Sequence, residues 1–326
     1  MAESPDPSTI VWVLADPSDP GLPVLRPAPR DVRFVVGAEA GDFEGAPPPR
    51  VVLDCGAGPR RLAAVLERAV GFEWFHSRSA GLDTVLVPEV AASPAVVTNG
   101  RGAFSLSLAE FVVAALLFFT KDLRGLVERQ EAASWEPFDM QLLHGRTLGI
   151  VGYGDIGRAT AQRVRALGMR VLALRRRPAL SEGDPLVDEV LPVEKLHELM
   201  GRSDDVLVAA PLTPQTRGLV DARALAAMKR GAVLVNVGRG PVVDEPALVE
   251  ALTTGRIRGA ALDVFAEEPL PPDHPFWRLP NVLLSPHCAD HVPGWIEDAM
   301  RLFLENLERF RGGQPLRNVV DKARGY

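Results

Sequence analysis

The chain has 326 residues, 47% of them hydrophobic, and a formal net charge of -6. That length holds two domains of about 100–200 residues each, and the apolar share lies in the range of about 45–50% typical of soluble globular proteins. The negative balance argues against nucleic acid or a membrane surface as a partner, because both want a basic face. The two cysteines, Cys55 and Cys288, stand far apart in no metal-ligand spacing, so the expectation is no metal site and a reducing, cytoplasmic setting.

The chain opens Met1-Ala2-Glu3-Ser4-Pro5-Asp6, with neither a basic nor an apolar region, so no secretion signal is expected. Thr9–Leu14, Val32–Val36 and Val51–Asp54 read as short strands, and Leu62–Val70 as a short helix. The proline-rich stretches Pro23–Pro29 and Pro47–Pro49 read as surface connections. From Ser105 a helical pattern runs to about Glu131, apolar on nearly every face in its middle. Such a helix is buried all round, in a core or at a subunit contact. Its apolar run, Phe111–Thr120, falls short of the roughly 20 residues that span a bilayer.

A second unit opens near Arg146. Thr147–Val151 is a strand, Ile156–Leu167 a helix stopped by Gly168, and Arg170–Leu174 a strand. Further strands fall at Val206–Ala210, Val233–Val237, Ala260–Val264 and Val282–Ser285. Strands alternating with helices imply βαβ units and a parallel sheet. Trp295–Arg311 is a final helix, expected to cross back onto the first unit.

Between the strand Thr147–Val151 and the helix that follows lies Gly152-Tyr153-Gly154-Asp155-Ile156-Gly157, a G-x-G-x-x-G turn in the context that gives the pattern meaning. Gly152 permits the tight turn, Gly154 lets the backbone approach a pyrophosphate, and Gly157 lets helix and strand pack closely. The amides that open the helix, at Asp155 and Ile156, would face the phosphates. About eighteen residues on, an acid would select NAD by bonding the ribose hydroxyls. The sequence reads Leu174-Arg175-Arg176-Arg177 instead. Arg175 and Arg176 suit the 2′-phosphate of NADP. The other reading is a solvated basic turn, which leaves NAD possible.

Three segments each place a chemical group just past a strand, at the carboxyl edge where such sheets bind ligands. Val237-Gly238-Arg239 supplies a guanidinium, Asp263 and Glu268 supply carboxylates, and Ser285-Pro286-His287 supplies an imidazole. Hydride transfer to a 2-oxo acid needs that set. Arg holds a carboxylate bidentately, His titrates nearest neutrality and can give the new hydroxyl its proton, and a carboxylate beside the His keeps it protonated. Taken singly, Arg239 could be a surface ion-pair partner, Glu268 an exposed loop acid and His287 a cap or core histidine. Their joint position beside the dinucleotide turn favours function.

With these residues in place the chain resembles the D-isomer-specific 2-hydroxyacid dehydrogenases. The resemblance runs from about Glu73 to His287 and includes Ser79-Ala80-Gly81-Leu82-Asp83, Asn99 through Ala109-Glu110, and Pro211-Leu212-Thr213-Pro214-Gln215-Thr216. It implies an α/β protein of two domains, a Rossmann-type cofactor domain (102–287) inserted into a flavodoxin-like substrate domain (1–101 and 288–326). It implies that Arg239 binds the substrate carboxylate, that His287 is the acid in reduction and the base in oxidation, and that Glu268 pairs with His287. Amides around Ala80 and Gly81 would hold the carboxylate from the other domain. Pro211, Thr213, Thr216 and Val237 would lie near the cofactor, and Asp263 would meet its carboxamide. A homodimer through the apolar helix is also implied. The Arg at 175 is closest in character to NADPH-using glyoxylate/hydroxypyruvate reductases.

Several positions depart from the family pattern. Ala209 stands where a His is frequent, and Arg101 and Phe104 replace a Pro and a small polar residue. Asp290 adds an acid three residues past the His. Another reading from the same resemblance is a dinucleotide-sensing corepressor, which would need a peptide-binding cleft for which the sequence has no signature. Formate dehydrogenase is set aside because it carries Gln where Glu268 stands. The expected reaction is reduction of a small 2-oxo acid of the glyoxylate or hydroxypyruvate kind to the D-2-hydroxy acid, with NADP and possibly NAD.

Overall fold

The computed structural model describes residues 9–325. The reading of Met1–Asp6 as lacking a secretion signal lies outside the described residues. The strands in chain order are β1 (Thr9–Leu14), β2 (Val32–Gly37), β3 (Val51–Asp54), β4 (Trp74–Ser77), β5 (Val96–Asn99), β6 (Thr147–Val151), β7 (Arg170–Leu174), β8 (Glu189–Leu191), β9 (Asp205–Val208), β10 (Val233–Asn236), β11 (Gly259–Leu262) and β12 (Val282–Leu284). The helices are α1 (Pro59–Leu66), α2 (Pro88–Ala92), α3 (Ser105–Thr120), α4 (Leu123–Glu131), α5 (Asp155–Ala166), α6 (Leu196–Arg202), α7 (Ala222–Ala227), α8 (Glu245–Thr253) and α9 (Trp295–Arg311).

The chain divides into two compact units. One holds the chain up to Phe104 and again from Pro293, the other holds Ser105–Val292. The first unit has a five-stranded sheet in the order β2-β1-β3-β4-β5, with every pairing parallel. That is the flavodoxin-like order. Helix α1 closes one face, placing Leu62, Val65 and Leu66 against Val52 and Phe75. Helix α9 closes the other, placing Met300, Phe303 and Leu307 against Val11, Val13 and Trp74. Strands covered on both faces read as continuous apolar runs, and β3, Val-Val-Leu-Asp, is buried at every position.

The second unit has seven parallel strands in the order β12-β11-β10-β9-β6-β7-β8. Counted from β6, this is the doubly wound 3-2-1-4-5-6 order with one strand added. The order reverses between β6 and β9, and a parallel sheet of this kind opens a crevice at the carboxyl ends of those two strands.

The helix expected from Ser105 to Glu131 is two helices. Asp122 takes φ 49°, the left-handed region, which breaks the run after Thr120. Asp is one of the few residues with a side chain that visits this region routinely. Helix α3 is also not buried all round within one chain. Leu108, Val112, Ala115, Leu116 and Phe119 are buried, whereas Leu106 is 61% exposed.

Candidate active site

The glycine turn forms as the motif requires. Gly152 has φ 97°, and a Cβ there would lie 2.6 Å from the Ala210 Cα and backbone N. The turn and the β9 end therefore touch at the crevice. A Cβ on Gly157 would lie 2.9 Å from the Gly152 carbonyl oxygen, so helix and strand meet as closely as glycine allows. Around Gly154 nothing among the described residues lies within 4 Å of a Cβ position. This residue is the N-cap of α5 and, as a glycine, offers no side-chain bond to the first turn. Asp155 is exposed and Ile156 half-buried. A helix N-terminus with an open approach attracts phosphate, and the residues present fit a dinucleotide.

Arg175 follows β7, and its amide still bonds the Leu191 carbonyl at 3.0 Å. Its guanidinium donates to the Ser181 hydroxyl. Arg176 is exposed beside it. Across the crevice, Pro211 begins the segment after β9. The Thr216 hydroxyl donates to the Pro211 carbonyl at 2.6 Å and accepts from the Thr213 amide at 2.8 Å, so it fixes the segment's own turn. Val237 is buried, its amide on the Val208 carbonyl at 3.1 Å.

The Arg, Glu and His stand at the ends of β10, β11 and β12. Asn236 positions the first of these loops: its side-chain amide donates to the Arg239 carbonyl at 3.2 Å and its oxygen accepts from the Gly238 amide at 3.1 Å. A Cβ on Gly240 would lie 1.9 Å from the Phe265 carbonyl carbon. Only glycine lets the Arg239 loop press that closely on the loop carrying Glu268. Glu268 accepts from the Phe265 amide at 2.9 Å through one oxygen and meets His287 Nδ1 at 2.7 Å through the other.

With Nδ1 donating to Glu268, Nε2 is the nitrogen left to carry or take a substrate proton. The hydrogen bond to Glu268 raises the His287 pKa above the ordinary value, against burial and the nearby Arg239 charge. Burial acts to raise the Glu268 pKa, but the bonds from His287 and the Phe265 amide outweigh it and keep the group ionised. Both side chains keep more than a third of their surface exposed, so the pair is partly screened by water. The arrangement can bind an anion at Arg239 and exchange a proton at His287.

Asp263 is fully buried. One of its oxygens accepts from the Ser285 hydroxyl at 2.6 Å and from the amides of Cys288 and Ala289 at 3.0 and 3.1 Å. In the other unit, Ala80 and Gly81 follow β4 at the carboxyl edge of its sheet, and the Asn99 side-chain amide donates to the Ala80 carbonyl at 2.7 Å. Asn236, Ser285, Tyr153 and Ser181 were not singled out in the sequence. Gly240, between Arg239 and Pro241, was the visible signal for the close approach of the two loops.

A model of the D-isomer specific 2-hydroxyacid dehydrogenase NAD-binding domain matches residues 113–289. A glyoxylate reductase of Korarchaeum cryptofilum is 37% identical over 296 residues, 85% of this chain and 87% of that protein. A D-3-phosphoglycerate dehydrogenase of Methanocaldococcus jannaschii is 32% identical over 83% of this chain, which spans 51% of that longer relative. The crystal structure of a D-isomer specific 2-hydroxyacid dehydrogenase from Xanthobacter autotrophicus, in complex with NADPH and MES, superposes with a TM-score of 0.82 at 30% identity, covering 98% of this chain and 100% of that one. The chain therefore belongs to the D-isomer-specific 2-hydroxyacid dehydrogenase family and is an NAD(P)-dependent oxidoreductase.

Proposed function

We propose that the protein reduces a small 2-oxo acid of the glyoxylate or hydroxypyruvate kind to its D-2-hydroxy acid, with NADPH preferred. The observation that carries the reading is the Glu268–His287 pair at 2.7 Å, in the electrostatic reach of Arg239, on the same sheet edge as the glycine turn. A bound reduced nicotinamide would supply the hydride. Arg239 binds the substrate carboxylate, and its positive charge draws electron density toward the carbonyl oxygen. His287 gives that oxygen a proton from Nε2, and Glu268 stabilises the charged imidazole from the other side. The glyoxylate reductase relative supports the substrate class. The NADPH-bound relative and Arg175 at the β7 end support the cofactor. The substrate unit is the one containing Ala80 and Gly81, and the dinucleotide unit is Ser105–Val292. The free cysteines Cys55 and Cys288 suit a cytoplasmic setting.

Assembly as a homodimer is part of the reading. Leu106, Leu123, Leu126, Val127, Trp135 and Leu142 are exposed on α3, α4 and the loop that follows, Trp135 at 96%. A run of large apolar side chains left in water marks a contact surface, and a second copy would cover it. Light scattering after size exclusion checks this, and a clean monomer at micromolar concentration would reject it.

The deciding experiment for function is a matrix of initial rates with glyoxylate, hydroxypyruvate, pyruvate and 3-phosphohydroxypyruvate, each with NADPH and NADH. The expected maximum in kcat/KM lies at glyoxylate or hydroxypyruvate with NADPH. A maximum at the phosphorylated acid, or with NADH, would overturn the corresponding half of the proposal.

A further inference from the structure

The residues around Arg175 form a cluster that no motif announces. Arg175 is fixed at its backbone by the Leu191 carbonyl, so its remaining freedom is in its side chain. A long cationic side chain loses rotamer entropy when a ligand immobilises it. Here part of that ordering is already done, because Nη1 donates to the hydroxyl of Ser181. Ser181 is 4% exposed, so water does not compete for this acceptor.

The backbone that carries the hydroxyl is itself held in place. Ser181 ends a short 3-10 turn that begins at Pro178, and its carbonyl accepts from the Asp184 amide at 3.2 Å. The Asp184 carboxylate accepts from the Tyr153 phenol at 3.1 Å and from Arg158 Nε at 3.0 Å. Tyr153 belongs to the glycine turn and Arg158 to the first turns of α5. The loop after β7 is thereby tied to the element that would hold the pyrophosphate. Arg158 also compensates the Asp184 charge, so the positive field at Arg175 is not cancelled by its own frame.

We propose that Ser181 is a positioning residue for cofactor choice: it aims the Arg175 guanidinium at the 2′-phosphate of the adenosine ribose, within a frame keyed to the glycine turn through Asp184. This rests on the reading that Arg175 selects NADP. Of the five guanidinium donors, the bond to Ser181 occupies one and leaves the others for the phosphate.

The test is calorimetric binding of adenosine 2′,5′-bisphosphate and adenosine 5′-monophosphate, which isolates the 2′-phosphate from turnover. It uses wild type, Ser181→Ala, Arg175→Ala and the double variant, with the melting temperature of each. Wild type should prefer the bisphosphate. Ser181→Ala should cut that preference by about 3- to 10-fold, the size of one ordinary hydrogen bond, with the monophosphate affinity and melting temperature unchanged. In the Arg175→Ala background the same change should do nothing, because Ser181 acts through Arg175. A preserved preference in Ser181→Ala would overturn the role of Ser181 while leaving the NADP reading standing. An equal loss for both ligands, or an undiminished effect without Arg175, would make Ser181 a structural residue and also overturn the proposal. No preference in wild type would overturn the NADP reading, and the role of Ser181 with it.

Discussion

Two glycines of the dinucleotide turn, two residues apart, should respond oppositely to the same substitution. In Gly152→Ala the new Cβ meets the Ala210 backbone at 2.6 Å at a φ of 97°. The left-handed conformation costs a residue with a side chain about 1–2 kcal/mol, and overpacking against backbone that cannot move aside adds about 1–3 kcal/mol. The total of about 2–5 kcal/mol is a large part of a stability of about 5–15 kcal/mol. At roughly 2–4 °C per kcal/mol, the melting temperature should fall by roughly 4–20 °C. In Gly154→Ala the backbone, at φ -103° and ψ -152°, accepts any residue, and the Cβ enters space with nothing among the described residues within 4 Å. The weaker N-cap costs under about 1 kcal/mol, so the fold should stand. The methyl group, however, occupies the approach to the α5 amides. A steric penalty of about 1–3 kcal/mol there weakens the dinucleotide roughly 5- to 150-fold. Differential scanning fluorimetry and calorimetric titration with NADP+ read the two effects separately. Wild-type NADP+ affinity in a folded Gly154→Ala protein, or an unshifted melting temperature in Gly152→Ala, would refute the reasoning.

Glu268→Gln removes the largest influence holding the His287 pKa up, so the imidazole loses its proton at lower pH. The alkaline limb of kcat/KM for reduction should move to lower pH and the limb for oxidation should follow it; profiles that do not move would show that Glu268 does not govern the proton. Arg239→Lys keeps the charge but loses the planar fork, and a lost bond to a charged group, about 1.5–3 kcal/mol, should lower kcat/KM roughly 10- to 150-fold. Calorimetry should find cofactor affinity unchanged, and near-normal kinetics would remove Arg239 from the site. His76 is wholly buried, Nε2 has no partner among the described residues, and burial pushes its pKa from 6.5 down to about 3; the unfolded chain therefore takes up a proton below pH 6.5 that the folded chain refuses, and stability present above that pH is lost on acidification, by about 2–3 kcal/mol at pH 4.5. Urea midpoints at pH 7 and 4.5 should fall less in His76→Gln than in wild type, and parallel losses would refute the link.

What could be read from the sequence was what local chemistry dictates. The β6-α5-β7 unit announces itself because an apolar run, a glycine turn and an amphipathic helix follow one another within thirty residues. Arg239, Glu268 and His287 were visible because each stands just past a strand and carries a group that the reaction needs. Strand β4, Trp74-Phe75-His76-Ser77, was not visible because half its buried positions are polar, and the partner of His76 Nδ1, Thr98 at 2.7 Å, lies far along the chain. Strand β8 has three residues, too few for any periodicity. Helix α1 begins at Pro59 rather than Leu62 because Gly58, at φ 83°, turns the chain directly into a proline at the first helical position. Ser181, Tyr153 and Asp184 had no signal, since a serine seven residues past a strand looks like any loop serine. Their relation exists only once the loop after β7 folds back on the glycine turn.

The placement of His287 shows how one strand end governs both the position and the protonation of a side chain. His287 takes φ 52°, uncommon for a residue with a Cβ and costing about 1–2 kcal/mol. The turn persists because the Asp263 oxygen receives three hydrogen bonds from Ser285, Cys288 and Ala289, on both sides of His287. A bond to a charged group contributes about 1.5–3 kcal/mol, so two such bonds already offset the strain. Five residues on from Asp263, Glu268 accepts a hydrogen bond from Nδ1 of the His287 ring. Both carboxylates follow β11, but their tasks differ. Asp263 accepts bonds from the hydroxyl and amides that shape the turn and so fixes where the imidazole stands. Glu268 touches the ring itself and so fixes which nitrogen carries the proton. Replacing Glu268 should therefore change the acidity of a correctly placed imidazole, whereas replacing Asp263 would release the turn and leave Glu268 without a fixed partner.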